Sequence, residues 1–133
     1  MASILLGVTG GIAAYKACEV LRLFDKSGHR VRVVMTRTAT EFVGPLTFET
    51  LSRAPVLTDA RPLGENGAIL HIEYADDADI FVIAPCTANV IAKLAQGMAD
   101  DALSTTALAF TGPVLIAPAM NVNMFSHPAV MEN

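Results

Sequence analysis

Glycine, hydroxyl and guanidinium groups stand in this sequence where a phosphate-binding site would need them. The segment Gly7-Val-Thr-Gly-Gly11 follows a short apolar run and precedes an amphipathic one, which indicates a strand, a tight turn and a helix. Such a turn offers backbone N–H groups and the positive end of a helix dipole to an anion. A second cluster, Thr36-Arg37-Thr38, follows the next apolar run, and its hydroxyls and guanidinium suit a terminal monophosphate such as that of FMN.

The same two clusters argue against a nicotinamide dinucleotide. Gly7-x-x-Gly10-Gly11 lacks the G-x-G-x-x-G spacing of the dinucleotide fingerprint, and no acidic residue ends the second apolar run to bind a ribose diol. Taken alone, the turn leaves a plainer explanation open, in which Gly10 and Gly11 serve only to let the chain reverse.

Two further polar turns follow apolar runs, and each begins with proline. They are Pro85-Cys-Thr-Ala-Asn89 and Pro118-Ala-Met-Asn121. A buried asparagine needs up to four hydrogen-bond partners, so packing alone explains these residues poorly. Ligands of open parallel sheets bind beyond the carboxyl ends of the strands, so all four polar clusters are expected to converge on one site.

The elements that position these clusters alternate between strand and helix. Strands are predicted at residues 3–7, 29–36, 55–57, 80–84 and 114–117, and helices at 12–27, 39–43, 45–52, 88–96 and 102–110, with a loop at 59–67. This alternation predicts an α/β fold, a Rossmann-like open parallel sheet with helices on both faces. With 133 residues, the chain is predicted to form a single domain.

The composition argues against some classes of binding partner and favours another. A net charge of −4 without a basic cluster disfavours nucleic acid, and no apolar run approaches the ~20 residues of a membrane helix. Hydrophobic residues make up 53% of the chain and charged residues 17%, so the apolar surplus is expected to line an interface in a homo-oligomer. The start of the chain lacks the features of a signal peptide, which favours a cytoplasmic location.

Two conspicuous features have plain structural explanations. Asp100-Asp101 is expected to begin a helix, where the dipole favours acidic side chains, rather than to bind a metal. Cys18 and Cys86 form neither a disulfide framework nor a metal motif. Cys86 is expected to be a buried, unreactive thiol, because no base is spaced to activate it.

Several motifs together resemble one family over the whole chain. In order they are Gly10-Gly-Ile-Ala-Ala-Tyr-Lys16, His71-Ile-Glu73, Pro85-Cys-Thr-Ala-Asn89, Ile91-Ala-Lys-Leu-Ala95, Ala99-Asp-Asp101, Leu103-Ser-Thr105 and Pro118-Ala-Met-Asn-Val-Asn-Met124. This series is similar to the ordered motifs of the homo-oligomeric flavin-containing cysteine decarboxylases. The first and last blocks resemble the coenzyme A branch of that family more than they resemble flavin prenyltransferases.

The resemblance implies bound FMN and a role for particular residues. The implied FMN-binding positions are Gly10, Gly11, Ile12, Thr36, Thr87, Ala88, Asn89, Val90 and Ala119, with Val90 replacing a frequent threonine. His71 matches the active-site base, and Asn121 matches the amide that binds the substrate carboxylate. His29 and His127 match no functional position and are interpreted as surface residues.

The implied reaction is the oxidative decarboxylation of a small acyl-cysteine or a peptidyl-cysteine. Flavin oxidises the cysteine side chain to a thioaldehyde, whose carbonyl-like group accepts the electrons left by departing CO₂. The resemblance also implies a homo-oligomer that is a trimer or a multiple of trimers. In the coenzyme A branch, a phosphopantothenate–cysteine ligase, fused or separate, is an expected partner.

The chain departs from the family pattern near its end. Phe125 stands where the family usually has tryptophan, and the cysteine of the substrate-covering segment and the last strand would lie beyond Asn133. We therefore expect a domain truncated at its C-terminus. Two other functions stay open on the sequence alone, a flavin prenyltransferase and a non-catalytic FMN-binding regulatory subunit.

Overall fold

Four parallel strands form the centre of the molecule. The computed structural model describes residues 1–60 and 67–133. Strands β1 (Ser3–Val8), β2 (Arg30–Met35), β3 (Ile80–Cys86) and β4 (Val114–Pro118) lie in the order β2-β1-β3-β4. Since every pairing is parallel, all four carboxyl ends lie at one edge of the sheet. The predicted fold class is confirmed.

Helices connect the strands and cover both faces of the sheet. Within the described ranges they are α1 (Ala14–Lys26), α2 (Arg37–Phe42), α3 (Pro45–Ser52), α4 (Gly67–Asp77), α5 (Ala88–Gln96), α6 (Ala102–Ala109), α7 (Val122–Phe125) and α8 (Pro128–Glu132). Pro45 occupies the first turn of α3, and Gly28 and Gly97, just past α1 and α5, adopt φ angles of 89° and 70°. In these segments no helix combines the length and apolar character that crossing a bilayer demands.

The sheet divides the hydrophobic core into two clusters. On one face Leu6 packs with Leu21 of α1 and Phe48 of α3, and all three are fully buried. On the other face Leu5 packs with Leu103 of α6, and both are fully buried. Leu5 and Leu6 serve different clusters because successive strand residues point to opposite faces. Each such side chain contributes about 1.5–3 kcal/mol to folding through its burial.

The two clusters draw on different lengths of chain. The buried members of the first cluster come from residues 4–56, apart from Val82. Those of the second range from residue 5 to residue 110. The first cluster is therefore formed mainly by the N-terminal part of the chain, whereas the second cluster brings together residues from both halves of the described chain.

The structure corrects two expectations about the elements and shows one unusual strand. The strand predicted at residues 55–57 is reduced to a single bridge between Leu57 and Val34. Helix α4 was not expected, because its apolar residues do not gather on one side of the helix. A parallel strand is normally buried on both faces, yet β4 is exposed along its whole length. Residues 61–66 of the predicted loop lie outside the described residues.

Candidate functional site

A cleft of about 560 Å³ opens at the carboxyl edge of the sheet, where the polar clusters were expected to converge. Its volume falls within the roughly 300–1,000 Å³ typical of small-molecule sites. The lining residues come from the turn after β1, the segments that follow β2, β3 and β4, and the walls formed by α5 and the start of α6. They are Gly10, Thr36, Arg37, Thr38, Asp59, Thr87, Ala88, Asn89, Val90, Lys93, Asp100, Asp101, Ala119, Met120 and Met124.

Thr9 ties the end of β1 to the loop that follows β3. Its side chain is fully buried. The Thr9 hydroxyl donates to the Pro85 carbonyl at 2.6 Å and accepts from the Thr87 N–H at 3.1 Å. Since Thr87 is the N-cap of α5, this one hydroxyl helps to fix where that helix begins.

Two helices begin at the cleft with a threonine cap. The Thr36 hydroxyl accepts from the Ala39 N–H at 3.2 Å at the start of α2, and the Thr87 hydroxyl accepts from the Val90 N–H at 3.3 Å at the start of α5. A side-chain cap satisfies only one of the first N–H groups of a helix. Because α5 has nine residues, its remaining N-terminal N–H groups and its dipole favour an anion in the cleft.

Gly10 brings the first turn into close contact with the polar cluster after β2. A Cβ atom at position 10 would lie 2.4 Å from Thr38 Cγ2 and 2.5 Å from Thr38 Cβ. A Cβ atom at Gly11 would meet nothing within 4 Å. The steric requirement for glycine therefore applies to Gly10 and not to Gly11.

Charged side chains form the wall of the cleft between α5 and α6. Lys93 Nζ lies 3.0 Å from Asp100 Oδ1 and 2.7 Å from Asp101 Oδ2. The hydrogen bond to Asp101 raises the pKa of Lys93, although burial opposes the shift. Burial alone would raise the pKa of Asp101, but hydrogen bonds from Lys93 and Ser104 outweigh it and hold that pKa below its usual value.

The carboxylates of this wall also organise the start of α6. Asp101 is the N-cap of α6 and forms a reciprocal capping box with Ser104, which confirms the predicted helix start. Asp59 accepts from the Ala102 N–H at 2.6 Å. The acidic side chains here are thus engaged with Lys93 or with backbone N–H groups.

Cys86 is the last residue of β3 and is fully buried. Burial raises the pKa of its thiol to about 12. The prediction of an unreactive thiol is consistent with this environment, because the thiolate form needed for reaction is disfavoured.

Seven of the nine predicted FMN positions line the cleft, namely Gly10, Thr36, Thr87, Ala88, Asn89, Val90 and Ala119. The other two, Gly11 and Ile12, follow Gly10 in the same turn and do not line it. The Ile12 side chain is 76% exposed.

His71 and Asn121 are not among the described residues that line the cleft. His71 is buried in α4, which packs against α6. Asn121 is exposed and follows the cleft residues Ala119 and Met120 directly. Its side-chain oxygen accepts from the Asn123 N–H at 2.8 Å, so its amide N–H groups are the ones left to donate to a ligand.

Sequence reasoning gave no role in the site to Asp59, Lys93 or Met124, although Lys93 and Met124 lie in motifs of the family series. Asp59 contacts the start of α6 across 43 residues, and no local pattern reveals such a contact. Met120 also lines the cleft. It lies between the predicted site residues Ala119 and Asn121, and this position could have identified it as a site residue.

Comparison with known proteins assigns the chain to a family. A family model described as Flavoprotein matches residues 1–133. The chain belongs to the Flavoprotein family.

Among curated relatives, this flavoprotein is 54% identical over 131 residues to the coenzyme A biosynthesis bifunctional protein CoaBC of Bacillus subtilis, covering 98% of the chain and 32% of the relative. Identity to CoaBC of Mycobacterium bovis is 48% over 130 residues, with 98% and 31% covered. The flavoprotein thus spans about a third of the length of these relatives.

Solved structures share the fold of this flavoprotein. The FMN-dependent cysteine decarboxylase SpaF superposes with a TM-score of 0.89 at 36% identity, covering 99% of the flavoprotein and 76% of that chain. A mutant PPC decarboxylase complexed with pantothenoylaminoethenethiol superposes with a TM-score of 0.84 at 31% identity, covering 98% and 74%.

Proposed function

We propose that this chain binds FMN in the cleft and, within a longer enzyme of coenzyme A biosynthesis, decarboxylates (R)-4'-phospho-N-pantothenoylcysteine to 4'-phosphopantetheine. The observation that carries the proposal is the meeting of seven predicted FMN positions in one cleft. The similarity to CoaBC and to PPC decarboxylase supports the choice of substrate.

The residues of the cleft fit FMN. Thr36, Arg37 and Thr38 would hold the phosphate together with the N-terminal amides of α5, because hydroxyl, guanidinium and amide groups all donate to phosphate oxygens. Met120 and Met124 offer apolar, polarisable surface for a ring system. When bound, FMN supplies the two-electron acceptor that oxidation of the substrate cysteine requires.

Asn121 would hold the substrate carboxylate. Its oxygen is occupied by the Asn123 N–H, so its amide N–H groups would donate to the substrate. A neutral donor orients the carboxylate without adding a positive charge that would retain CO₂. His71 would exchange the proton of the reacting cysteine, since an imidazole can both accept and donate.

The positions of His71 and Asn121 favour a site completed by a second copy of the chain. We propose a trimer or a multiple of trimers in which the His71 of one protomer serves the cleft of another. The exposed strand β4 supports such an association: Val114 is 47% and Leu115 57% exposed, and they point to opposite faces of the sheet. Large apolar surfaces of this kind mark interfaces.

The coverage of the relatives suggests the remaining partner. This chain matches about a third of CoaBC, and we propose that a phosphopantothenate–cysteine ligase acts with it, either fused or as a separate chain. We also propose a cytoplasmic location, where the two free cysteines stay reduced.

The cofactor is tested on the purified protein. We expect one non-covalent FMN per chain, a yellow colour and no affinity for NAD. Absorbance and equilibrium dialysis measure both. A protein that binds a dinucleotide but not FMN contradicts the proposal.

The reaction is tested with FMN-loaded protein and phosphopantothenoylcysteine, by measuring CO₂ release. His71→Asn and Asn121→Asp should keep FMN and lose turnover. In Asn121→Asp the carboxylate still accepts from the Asn123 N–H but repels the substrate carboxylate. The matched controls are His127→Asn and Asn123→Asp, both at exposed positions, and they should retain activity. FMN binding without CO₂ release from an enzyme that includes the substrate-covering segment expected beyond Asn133 would contradict the assigned reaction.

Assembly is tested by sedimentation of the FMN-loaded protein. Leu115→Lys should dissociate the oligomer, whereas Leu46→Lys, at a 73% exposed position on α3, should not. A monomer at micromolar concentration that retains FMN would refute the proposed trimer.

A further inference from the structure

Asp59 lies in the cleft between the polar cluster that follows β2 and the start of α6. Leu57 forms a parallel bridge with Val34. Asp59 stands two residues after Leu57, and Thr36 stands two residues after Val34. Because neighbouring strands are about 4.8 Å apart, this register brings Asp59 close to Thr36, and both residues line the cleft. A carboxylate thus lies beside the hydroxyl and guanidinium groups that suit a phosphate.

The Asp59 carboxylate occupies the N-terminus of α6 in the way that a bound anion would. Asp59 Oδ1 accepts from the N–H of Ala102, the first residue of this eight-residue helix, at 2.6 Å. The Asp101 side chain accepts from the Ser104 N–H at 2.7 Å. Two of the first three N–H groups of α6 therefore donate to carboxylates of the protein itself. These are the donors that a helix N-terminus would otherwise offer to a phosphate.

The charged side chains of the cleft are distributed unevenly. The segment after β2 contributes Arg37, whereas the wall at the start of α6 contributes Lys93 together with Asp59, Asp100 and Asp101. Lys93 Nζ lies 3.0 Å from Asp100 and 2.7 Å from Asp101, so one ammonium group is shared between two carboxylates. The described part of this wall thus holds three carboxylates and one ammonium group, and it disfavours a further negative charge.

This arrangement affects flavins with one phosphate differently from those with two. A flavin dinucleotide carries a second phosphate joined directly to the first, with an adenosine beyond it. If Thr36, Arg37 and Thr38 hold the first phosphate, the second must lie next to it, where the Asp59 carboxylate takes the place of free N–H groups. FMN ends at its single phosphate, so its negative charge can stay beside Arg37 and the N-terminal amides of α5.

We propose that Asp59 is a specificity-determining residue that restricts the cleft to a flavin with one phosphate group and excludes flavin dinucleotides. This role rests on the proposed binding of FMN in the cleft and assigns the choice among flavins to one side chain. Asp59→Asn removes the charge and keeps an oxygen that can accept from the Ala102 N–H. Asp59→Ala removes both the charge and the acceptor, which leaves that N–H free for a second phosphate.

The probes are FMN and FAD, which are dialysed separately to equilibrium against the flavin-free protein, with bound flavin measured by absorbance. We expect the unsubstituted protein to bind FMN about 100-fold more tightly than FAD. This ratio of affinities should fall about tenfold in Asp59→Asn and further in Asp59→Ala, because the affinity for FAD rises. The matched control is Asp77→Asn, at the exposed last residue of α4 outside the cleft, and it should keep the ratio of the unsubstituted protein.

Thermal unfolding checks that each variant is folded, and Asp59→Asn decides the matter if the alanine variant is not. Equal affinity of the unsubstituted protein for FMN and FAD would overturn the role of Asp59. A ratio unchanged in Asp59→Asn would do the same, because the adenosine would then be excluded by shape and not by this carboxylate. An equal change in Asp77→Asn would also overturn it. Absence of FMN binding by the unsubstituted protein would instead refute the cofactor site itself, and the role of Asp59 with it.

Discussion

Replacing Thr9 by valine should separate a buried hydroxyl from the shape of its side chain. Valine keeps the volume of threonine but removes the donor to the Pro85 carbonyl and the acceptor of the Thr87 N–H. The Pro85 carbonyl retains the Thr9 backbone N–H at 3.3 Å, whereas the Thr87 N–H loses its side-chain acceptor. Two hydrogen bonds of about 1 kcal/mol each give a loss of about 2 kcal/mol in the free energy of unfolding.

The assay is thermal unfolding without ligand, followed by FMN titration. For a domain of 133 residues, a loss of about 2 kcal/mol lowers the unfolding midpoint by about 7 °C. Because the same hydroxyl positions the start of α5, FMN affinity should also fall, by about tenfold, or roughly 1.4 kcal/mol.

The matched control is Thr9→Ser, which keeps the hydroxyl and removes one buried methyl group at a cost of about 0.8 kcal/mol. We expect its midpoint to fall by only about 3 °C and its FMN affinity to stay unchanged. If valine and serine gave equal midpoints and equal FMN affinities, the argument that this hydroxyl positions the loop would be wrong.

Three further predictions concern the cleft. Gly10→Ala should unfold at a lower temperature and bind FMN poorly because its Cβ would collide with Thr38, whereas Gly11→Ala should leave the midpoint unchanged. Asp101→Asn should be less stable than the unsubstituted protein at pH 7. Since the pKa of Asp101 is lowered from 3.8, its contribution to stability is fully present above that pH and is lost as the pH falls through the lowered pKa, so chemical denaturation should show the difference shrinking as the pH falls below 3.8. Cys86, with a pKa of about 12, should resist a thiol reagent at pH 8 in the native protein and react after unfolding; rapid labelling without unfolding would contradict the burial argument.

The sequence predicts well those elements whose ends carry local signals. Pro45 marks the start of α3, the Thr87 cap marks the start of α5, and Gly28, with its positive φ, marks the end of α1. Each of these signals can be recognised from a few neighbouring residues. The strands are recognisable because a central parallel strand is apolar on both faces. Helix α4 lacks a clear apolar side, so no local pattern indicates it.

The candidate site also has a part that the sequence predicts and a part that it does not. Its turns can be predicted because glycine, proline and capping residues mark them along the chain. Its far wall cannot, because Asp59 and the start of α6 meet only through tertiary folding. The placement of His71 in a buried helix outside the cleft also required the structure, since a short motif carries no information on which side of a domain it lies.

The division of the core into two clusters has a consequence for the order in which the protein can be made. Synthesis proceeds from the N-terminus at roughly 5–20 residues per second. The first cluster needs little beyond residue 56, so it can condense while the rest of the chain is still on the ribosome. The cleft needs Ala119, Met120 and Met124, which emerge last among its residues. A nascent chain arrested before Ala119 would thus hold an ordered first layer and an incomplete cleft, so the capture of cofactor would have to wait until Met124 has been added.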